Sequence, residues 1–422
     1  MTEPGRSLIK NTLTLLYGSG ISKGIGLISM PILTRIYAPH DFGILSIFSA
    51  FLAMSAPMAT LRYATAMPLP RTSAIAANLL VASLCLLALT TTTLAGLVLL
   101  LGDMLFNLTV TKDVAQYSEL IVIGFLCFGL AEIFRMWATR AKSFREISLA
   151  AQCGAFSGAV AKMALGMTAL KPSGLIIGQA LISAFEAGFL FLRSGKRFVE
   201  HMHKLSRRNM ILCLWHYRGY PIYRVPADFL LAFSSQAPLV FIASLYQTDI
   251  AGQVGLAFMA IALPVTLIST NLGKAYYGEI AKMPKGRRVT LRKLTESFAR
   301  KLFVFSVPIC LILAAAGPSL FPLVFGDEWG LAGEIVRILA LYLPLQIMAS
   351  PLSNAYNYLN LQNIFLYQNL VRAIAVGCVF ALVALMNLKI LHAVLLYSIV
   401  MLFFYAFTIA NVFYFLGRET NQ

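Results

Sequence analysis

Twelve blocks of mostly apolar residues follow one another along the chain, each long enough to cross a bilayer, with short polar connections between them. A transmembrane helix needs ~20 apolar residues to span the hydrocarbon core. The blocks predict helices at about 11–34, 42–61, 74–101, 116–137, 147–169, 173–192, 226–246, 252–276, 299–325, 332–356, 363–386 and 390–416. Hydrophobic residues make up 59% of the 422 positions, and almost nothing is left over for a soluble domain. The expected fold is an all-α integral membrane protein with 12 transmembrane helices, whose work is done inside or across a membrane.

Charge placement tests that topology. Lysines and arginines gather in alternate connections, as the positive-inside rule requires. One set comprises Arg6 and Lys10, then Arg62 and Arg71, then Arg135, Arg140, Lys142 and Arg145. It continues with the basic segment from Arg193 to Arg224, the run from Lys282 to Lys301, and Arg418. The opposite connections hold only Arg35, Lys112, Lys171 and Lys389, against the acids Asp41, Asp103, Asp113, Asp249, Asp327 and Glu328. A missed helix would put basic connections on both sides. The alternation therefore predicts twelve spans with both termini cytoplasmic.

The net charge of +17 needs no nucleic-acid partner. Most of it is topology-setting charge beside a negatively charged leaflet. The first block lacks a cleavage-like end and exceeds a signal h-region, so it is expected to stay in the mature chain. Cys85, Cys127, Cys153, Cys213, Cys310 and Cys378 are scattered without paired spacing and read as small hydrophobes. His201 and His203 sit in a basic connection, and their spacing alone is poor evidence for a metal. No cofactor or metal site is expected.

The chain repeats its own pattern. Pro31 in the first block is followed by Tyr37, Asp41 and Gly43, then Pro57 in the second. Pro238 in the seventh is followed by Tyr246, Asp249 and Gly252, then Pro264 in the eighth. The two proline pairs have the same separation. Each half would thus begin with two proline-kinked helices joined by a tight acidic turn on the outer side. Interrupted helices at corresponding positions of two halves point toward a transporter's pathway. The domain organisation read from this is an N-terminal six-helix bundle at 1–192, a basic cytoplasmic linker at 193–224 and a C-terminal six-helix bundle at 225–422.

Charges inside the blocks carry the functional signal. Lys23, Lys162, Lys274, Arg337 and Arg372 lie within spans, and Glu186 and Asp228 are read as the intramembrane acids. A Lys or Arg at mid-bilayer costs ~2.5–3.5 kcal/mol even on the lenient insertion scale, so it must face a wet cavity or a partner. Two acids cannot neutralise five cations. A cavity with surplus positive charge suits an anionic substrate.

Geometry favours two of the lysines. Ser19, Ser22, Lys23, Gly26 and Ser29 fall on one helical stripe, with the isoleucines mainly elsewhere. Gly154, Gly158, Lys162 and Gly166 follow i,i+4 spacing. Small residues at that spacing can equally mean close helix packing. A lysine in the middle of such a stripe is awkward in a dry contact, so both lysines are expected to line an aqueous pathway. Lys274 and Arg62 lie near cytoplasmic helix ends and could snorkel to headgroups. Arg224 and Asp228 are four apart, which also fits an ordinary ion pair. Arg337 lies three residues after Glu334 and could pair with it. Arg372 follows Gln368 and Asn369 on a polar segment and is the better C-terminal candidate.

Gly20-Ile-Ser-Lys-Gly24 matches the G-x-S-x-G pattern of serine hydrolases, which needs a strand-turn-helix elbow. Here it falls inside a transmembrane block and is a decoy. No G-x-x-x-x-G-K-[ST] loop occurs, so that device for nucleotide use is absent.

At this point the residues resemble a family. The stretch Pro31-Ile-Leu-Thr-Arg-Ile-Tyr-Ala-Pro-His-Asp-Phe-Gly43, the following Leu61-Arg62-Tyr63, and Tyr220-Pro-Ile-Tyr-Arg-Val-Pro-Ala-Asp228 are similar to bacterial oligosaccharide flippases of the Wzx type. Phe325-Gly-Asp-Glu-Trp329 and Ser350-Pro-Leu-Ser353 are similar too. The likeness runs from the first block to the last. Its motifs identify the exporter superfamily of multidrug and lipid-linked oligosaccharide transporters better than they identify a substrate.

The resemblance implies two pseudo-symmetric six-helix bundles in a V around a central cavity, working by alternating access in the bacterial inner membrane. It implies an undecaprenyl-diphosphate-linked saccharide as cargo, turned toward the periplasmic leaflet for O-antigen or exopolysaccharide synthesis. The polysaccharide polymerase and chain-length machinery are the partners it suggests. Lys23, Arg62 and Lys162 are the positions that could hold the diphosphate, with Arg224 and Arg372 as further substrate contacts. Asp228 or Glu186 could couple transport to proton or sodium counterflow. Multidrug members rely on an acid in the first helix, and this first block carries only Lys23, which favours the saccharide-lipid branch. A multidrug or metabolite antiporter of the same superfamily is the alternative. An integral-membrane glycosyltransferase or polymerase fits less well, because the outer connections are short and the longest polar stretch is basic and cytoplasmic. A facilitator of the major type would need a glycine-aspartate-basic loop where the chain reads Arg62-Tyr-Ala-Thr-Ala-Met-Pro-Leu-Pro-Arg71.

Overall fold

The structure, a computed structural model, describes residues 3–417 apart from 71, 110–111, 169, 200–204, 282–287 and 360. Sixteen α-helices occur among the described residues, with no strand. The first unit holds α1 (Glu3–Ile36), α2 (Pro39–Ala59), α3 (Ser73–Thr109), α4 (Lys112–Ala115) and α5 (Ser118–Arg140). It continues with α6 (Phe144–Gly166), α7 (Lys171–Val199), α8 (Arg207–His216) and α9 (Val225–Leu245). The remainder are α10 (Thr248–Ala281), α11 (Arg288–Phe325), α12 (Gly330–Leu339), α13 (Leu343–Leu352), α14 (Asn354–Tyr358), α15 (Gln362–Met386) and α16 (Ile390–Gly417).

Every expected span coincides with a helix or a helix pair. Among the described residues, eight helices are long and apolar enough to cross a membrane, or nine if a bent pair counts as one span. Helices α1, α6 and α10 stand outside that set, and the first two carry the polar stripes of Lys23 and Lys162. The tenth span departs from the expected single helix at 332–356. It breaks into α12 and α13, bent by 61°. Pro344 lies in the first turn of α13, where it supplies no N–H to a continuing ladder and disfavours helical geometry before it.

The chain divides into two compact units, Met1–Gly252 and Gln253–Gln422. In the first, α6 packs on α7 and α1, α5 on α7, α2 on α9, and α3 on α5 and α8. Leu79, Leu80, Leu87, Phe125, Ile133 and Trp137 form one buried cluster, and Ile44, Ile47, Phe48, Ile121 and Ile176 another. The sequence pattern sets α9 at the head of the second half, whereas by contacts it lies with α2. The segment 193–224 also holds more structure than a linker. Helix α8 seats Cys213 in the α3–α5 cluster, and Tyr63 donates to the Leu214 carbonyl at 3.0 Å. In the second unit, α11 packs on α12 and α13, and α16 on α12, α13 and α15. Tyr276, Ile280, Leu291, Leu352, Tyr356 and Val412 are buried together there.

The two repeated corners meet inside the first unit. A Cβ on Gly43 would lie 2.1 Å from the Thr248 carbonyl oxygen, and one on Gly252 would lie 1.8 Å from the Pro39 carbonyl oxygen. His40 Nδ1 sits 2.9 Å from Asp249 Oδ1 across the same contact. The glycines at matching repeat positions thus exchange equivalent backbone contacts. Asp41 caps its own helix, accepting from the Ala38 N–H at 3.0 Å.

Candidate functional site

Helices α1, α6 and α7 line an open cavity of about 300 Å³ formed by Ser22, Lys23, Gly26, Ser29, Lys162 and Glu186, with three alanines of α6 and Ile182. The two lysines singled out by their stripes therefore share one space, reached from two different helices. Sequence builds it by a division of labour along α6. Gly158 faces α7 so closely that a Cβ there would meet Ile182 Cγ1 at 2.2 Å and the Gly178 carbonyl oxygen at 2.9 Å. Gly178 in turn leaves room for the stem of Lys162, whose Cγ would lie 2.3 Å from a Cβ at that position. The glycine stripe is a packing seam, as the alternative reading of it held. The lysine stem runs through the seam and its ammonium donates to Gln179 Oε1 at 2.8 Å. Tyr37, fully buried, fixes the far side by donating to the Lys162 carbonyl at 2.7 Å.

Glu186 closes one edge of the cavity, and Arg135 of α5 grips it. Arg135 Nε and Nη2 donate to Glu186 Oε1 and Oε2, both at 2.7 Å. Such a two-pronged pair is among the strongest charge-assisted contacts in proteins. Beyond it stands a second charge cluster, and Arg62 is its centre. Arg62 follows α2 in left-handed backbone, at φ 60°. Its Nη1 donates to Glu132 Oε1 at 2.7 Å, and its Nε lies 2.9 Å from Asp228 Oδ2. Arg224 Nε donates to the same Asp228 oxygen at 3.1 Å. Glu132 and Arg135 are three apart on α5, so cations and anions alternate from Arg224 through Asp228, Arg62, Glu132 and Arg135 to Glu186.

This ladder corrects the expected charge balance. Glu132, buried in the apolar run of α5, is a third acid beside Glu186 and Asp228. Its spacing from Arg135 in an apolar stretch was the available signal. Arg62 does not join Lys23 and Lys162 on the cavity wall. Arg224 and Asp228 form the ion pair that their spacing allows.

Arg372 lies in the second unit on α15 and is buried. Its guanidinium carbon stands 5.2 Å from the Phe404 ring centroid, and it hydrogen-bonds the Tyr405 hydroxyl. Tyr342 packs against both Tyr397 and Tyr405 at centroid distances of 6.1 and 6.0 Å. Arg337 sits 3.8 Å from Glu334, as expected of that pair. The side chain of Lys274, and His201 and His203, lie outside the described residues. No group of three or more metal-ligating side chains occurs among the described residues.

Residues 32–334 match the family described as polysaccharide biosynthesis protein. No curated protein sequence matches the chain. Solved structures do. The lipid II flippase MurJ in an inward closed conformation matches with a TM-score of 0.72 at 14% identity, over 96% of this chain and 90% of that one. A MATE protein in complex with MaL6 matches with a TM-score of 0.63 at 15% identity, over 98% and 96%. A MOP superfamily transporter from Pyrococcus furiosus, reported with a binding pocket of reversed polarity, matches with a TM-score of 0.60 at 14% identity, over 97% of each chain. At such identities the likeness is one of fold.

Proposed function

We propose that this chain, which belongs to the polysaccharide biosynthesis protein family, turns an undecaprenyl-diphosphate-linked oligosaccharide repeat unit from the cytoplasmic to the periplasmic leaflet. The product would serve O-antigen or exopolysaccharide synthesis. The observation that carries this reading is the shared cavity of Lys23 and Lys162, where the partner of the Lys162 ammonium is the neutral amide of Gln179. An amide oxygen orients an ammonium without cancelling its charge. A diphosphate entering the cavity would meet two cations from two helices. A hydrogen bond to a charged group contributes ~1.5–3 kcal/mol, so a few offset much of the cost of taking the headgroup out of water. Movement of an anion toward the positive outer side gains ~2.3 kcal/mol per charge per 100 mV.

In this reading Arg62 and Arg224 hold Asp228, and so tie α9 to the turn after α2, while Arg372 organises the second unit. Coupling through Asp228 or Glu186 would require a proton or sodium ion to release the Arg62 or Arg135 contact. The basic connections and both termini lie in the cytoplasm, and the membrane is the bacterial inner membrane.

Lys23→Ala and Lys162→Ala should each abolish surface polysaccharide in the native host at normal protein levels, with lipid-linked saccharide accumulating on the inner leaflet. Wild-type flipping by both variants in proteoliposomes would rule the reading out.

A further inference from the structure

The second unit carries an unassigned shallow groove on its longest helix, α11. Helix α11 runs for 38 residues, well beyond the ~20 that span a bilayer. Its apolar stretch is the least buried of the eight described spanning helices. Val304 and Phe305 are exposed, and so are Leu311 and Ile312 further along. Arg292, Lys293, Arg300 and Lys301 precede that stretch. Glu296 is the acid among them, and Arg292 takes it at 2.9 Å.

A shallow, open groove lies where the two characters meet, on one face of α11 formed by Arg300, Lys301, Val304, Phe305, Pro308 and Ile309. Pro308 offers no N–H to the Val304 carbonyl, which loosens the helix along the groove. Lys301 also lines a neighbouring recess of about 350 Å³ with Ser297 and Glu279. Two adjacent cations therefore stand at the head of an apolar face that continues along the helix toward Ile309.

We propose that this groove binds an anionic glycerophospholipid, with its phosphate on Arg300 and Lys301 and one acyl chain along Val304–Ile309. The occupant is set by charge order: cationic side chains at the aqueous border attract acidic headgroups, and the apolar floor behind them takes a chain and not a second headgroup. A zwitterionic lipid offers the same phosphate but brings its own ammonium beside the two cations, which opposes binding. The inference stands on the second unit alone and is independent of the flippase reading.

The test is lipid retention by the full-length protein in nanodiscs of phosphatidylethanolamine, with and without phosphatidylglycerol, read by native mass spectrometry. Wild type should retain phosphatidylglycerol over phosphatidylethanolamine by roughly tenfold, given the attraction of a cation pair for an acidic headgroup. Arg300→Gln with Lys301→Gln should remove the preference, and Arg300→Lys should keep it. Phe305→Ser should weaken retention of both lipids. Both cations are exposed, so these variants keep the fold. The proposal is overturned by wild type without preference, or by the double variant keeping it. It is equally overturned by capture of an undecaprenyl phosphate in place of phosphatidylglycerol, or by a Phe305-dependent dimer with no bound lipid.

Discussion

Two charge clusters in the first unit both set cations among packed helices, and they reach opposite ends. In one, Lys23 and Lys162 face a common space, with an amide oxygen holding the Lys162 ammonium. In the other, Arg62 sits between Glu132 and Asp228, and Arg224 completes the balance. Burial alone does not make a cation available to a ligand; the identity of its partner decides. A carboxylate spends the charge inside the protein, whereas an amide aims it. Glu186 lies where the clusters touch, on the cavity wall yet clamped by Arg135.

The comparison breaks most visibly at Arg62. Arg62→Ala leaves the buried Glu132 carboxylate without its hydrogen-bonded cation, while Asp228 keeps Arg224, and losing one partner of a buried pair costs ~3–5 kcal/mol. The expected outcome is a sharp drop in folded yield and melting temperature in detergent. Adding Glu132→Gln should recover much of it, since the stranded charge is gone. The repeat corner comes next. Gly252→Val drives a side chain into the Pro39 carbonyl, and overpacking of this kind costs ~1–3 kcal/mol, measurable by thermal unfolding. Lys162→Met should change stability by less than ~1.5 kcal/mol, because the stem remains in its seam, yet transport should be lost. His40→Ala removes an exposed contact and should shift stability by only ~0.2–1 kcal/mol.

The long helices could be read from the chain because each apolar run is long enough to span and each connection carries its sidedness in Lys and Arg. The break between Leu339 and Leu343 could not be read from hydropathy, which is the same on both sides of it; Pro344 was the one local sign. Helix α8 leaves little mark in the sequence because Ile211, Leu212 and Trp215 form too short an apolar run among basic residues. For the site, Lys23 and Lys162 stood out as charges in apolar runs. Gln179 did not, since a neutral amide leaves no such mark. The Arg62 ladder joins residues near 62, 132 and 228, and pairing over such separations is set by helix packing that no local pattern records. The corner glycines lie between these cases: their matching positions in the repeat were visible, and their contact with each other was not.

Equilibrium binding of undecaprenyl diphosphate to the purified chain tests the role of the two lysines most directly. Lys23→Gln and Lys162→Gln should each weaken binding by roughly 10–100-fold, the loss of one charged hydrogen bond. Arg224→Gln should bind as wild type does. Undiminished binding by both lysine variants would contradict the assignment of the cavity.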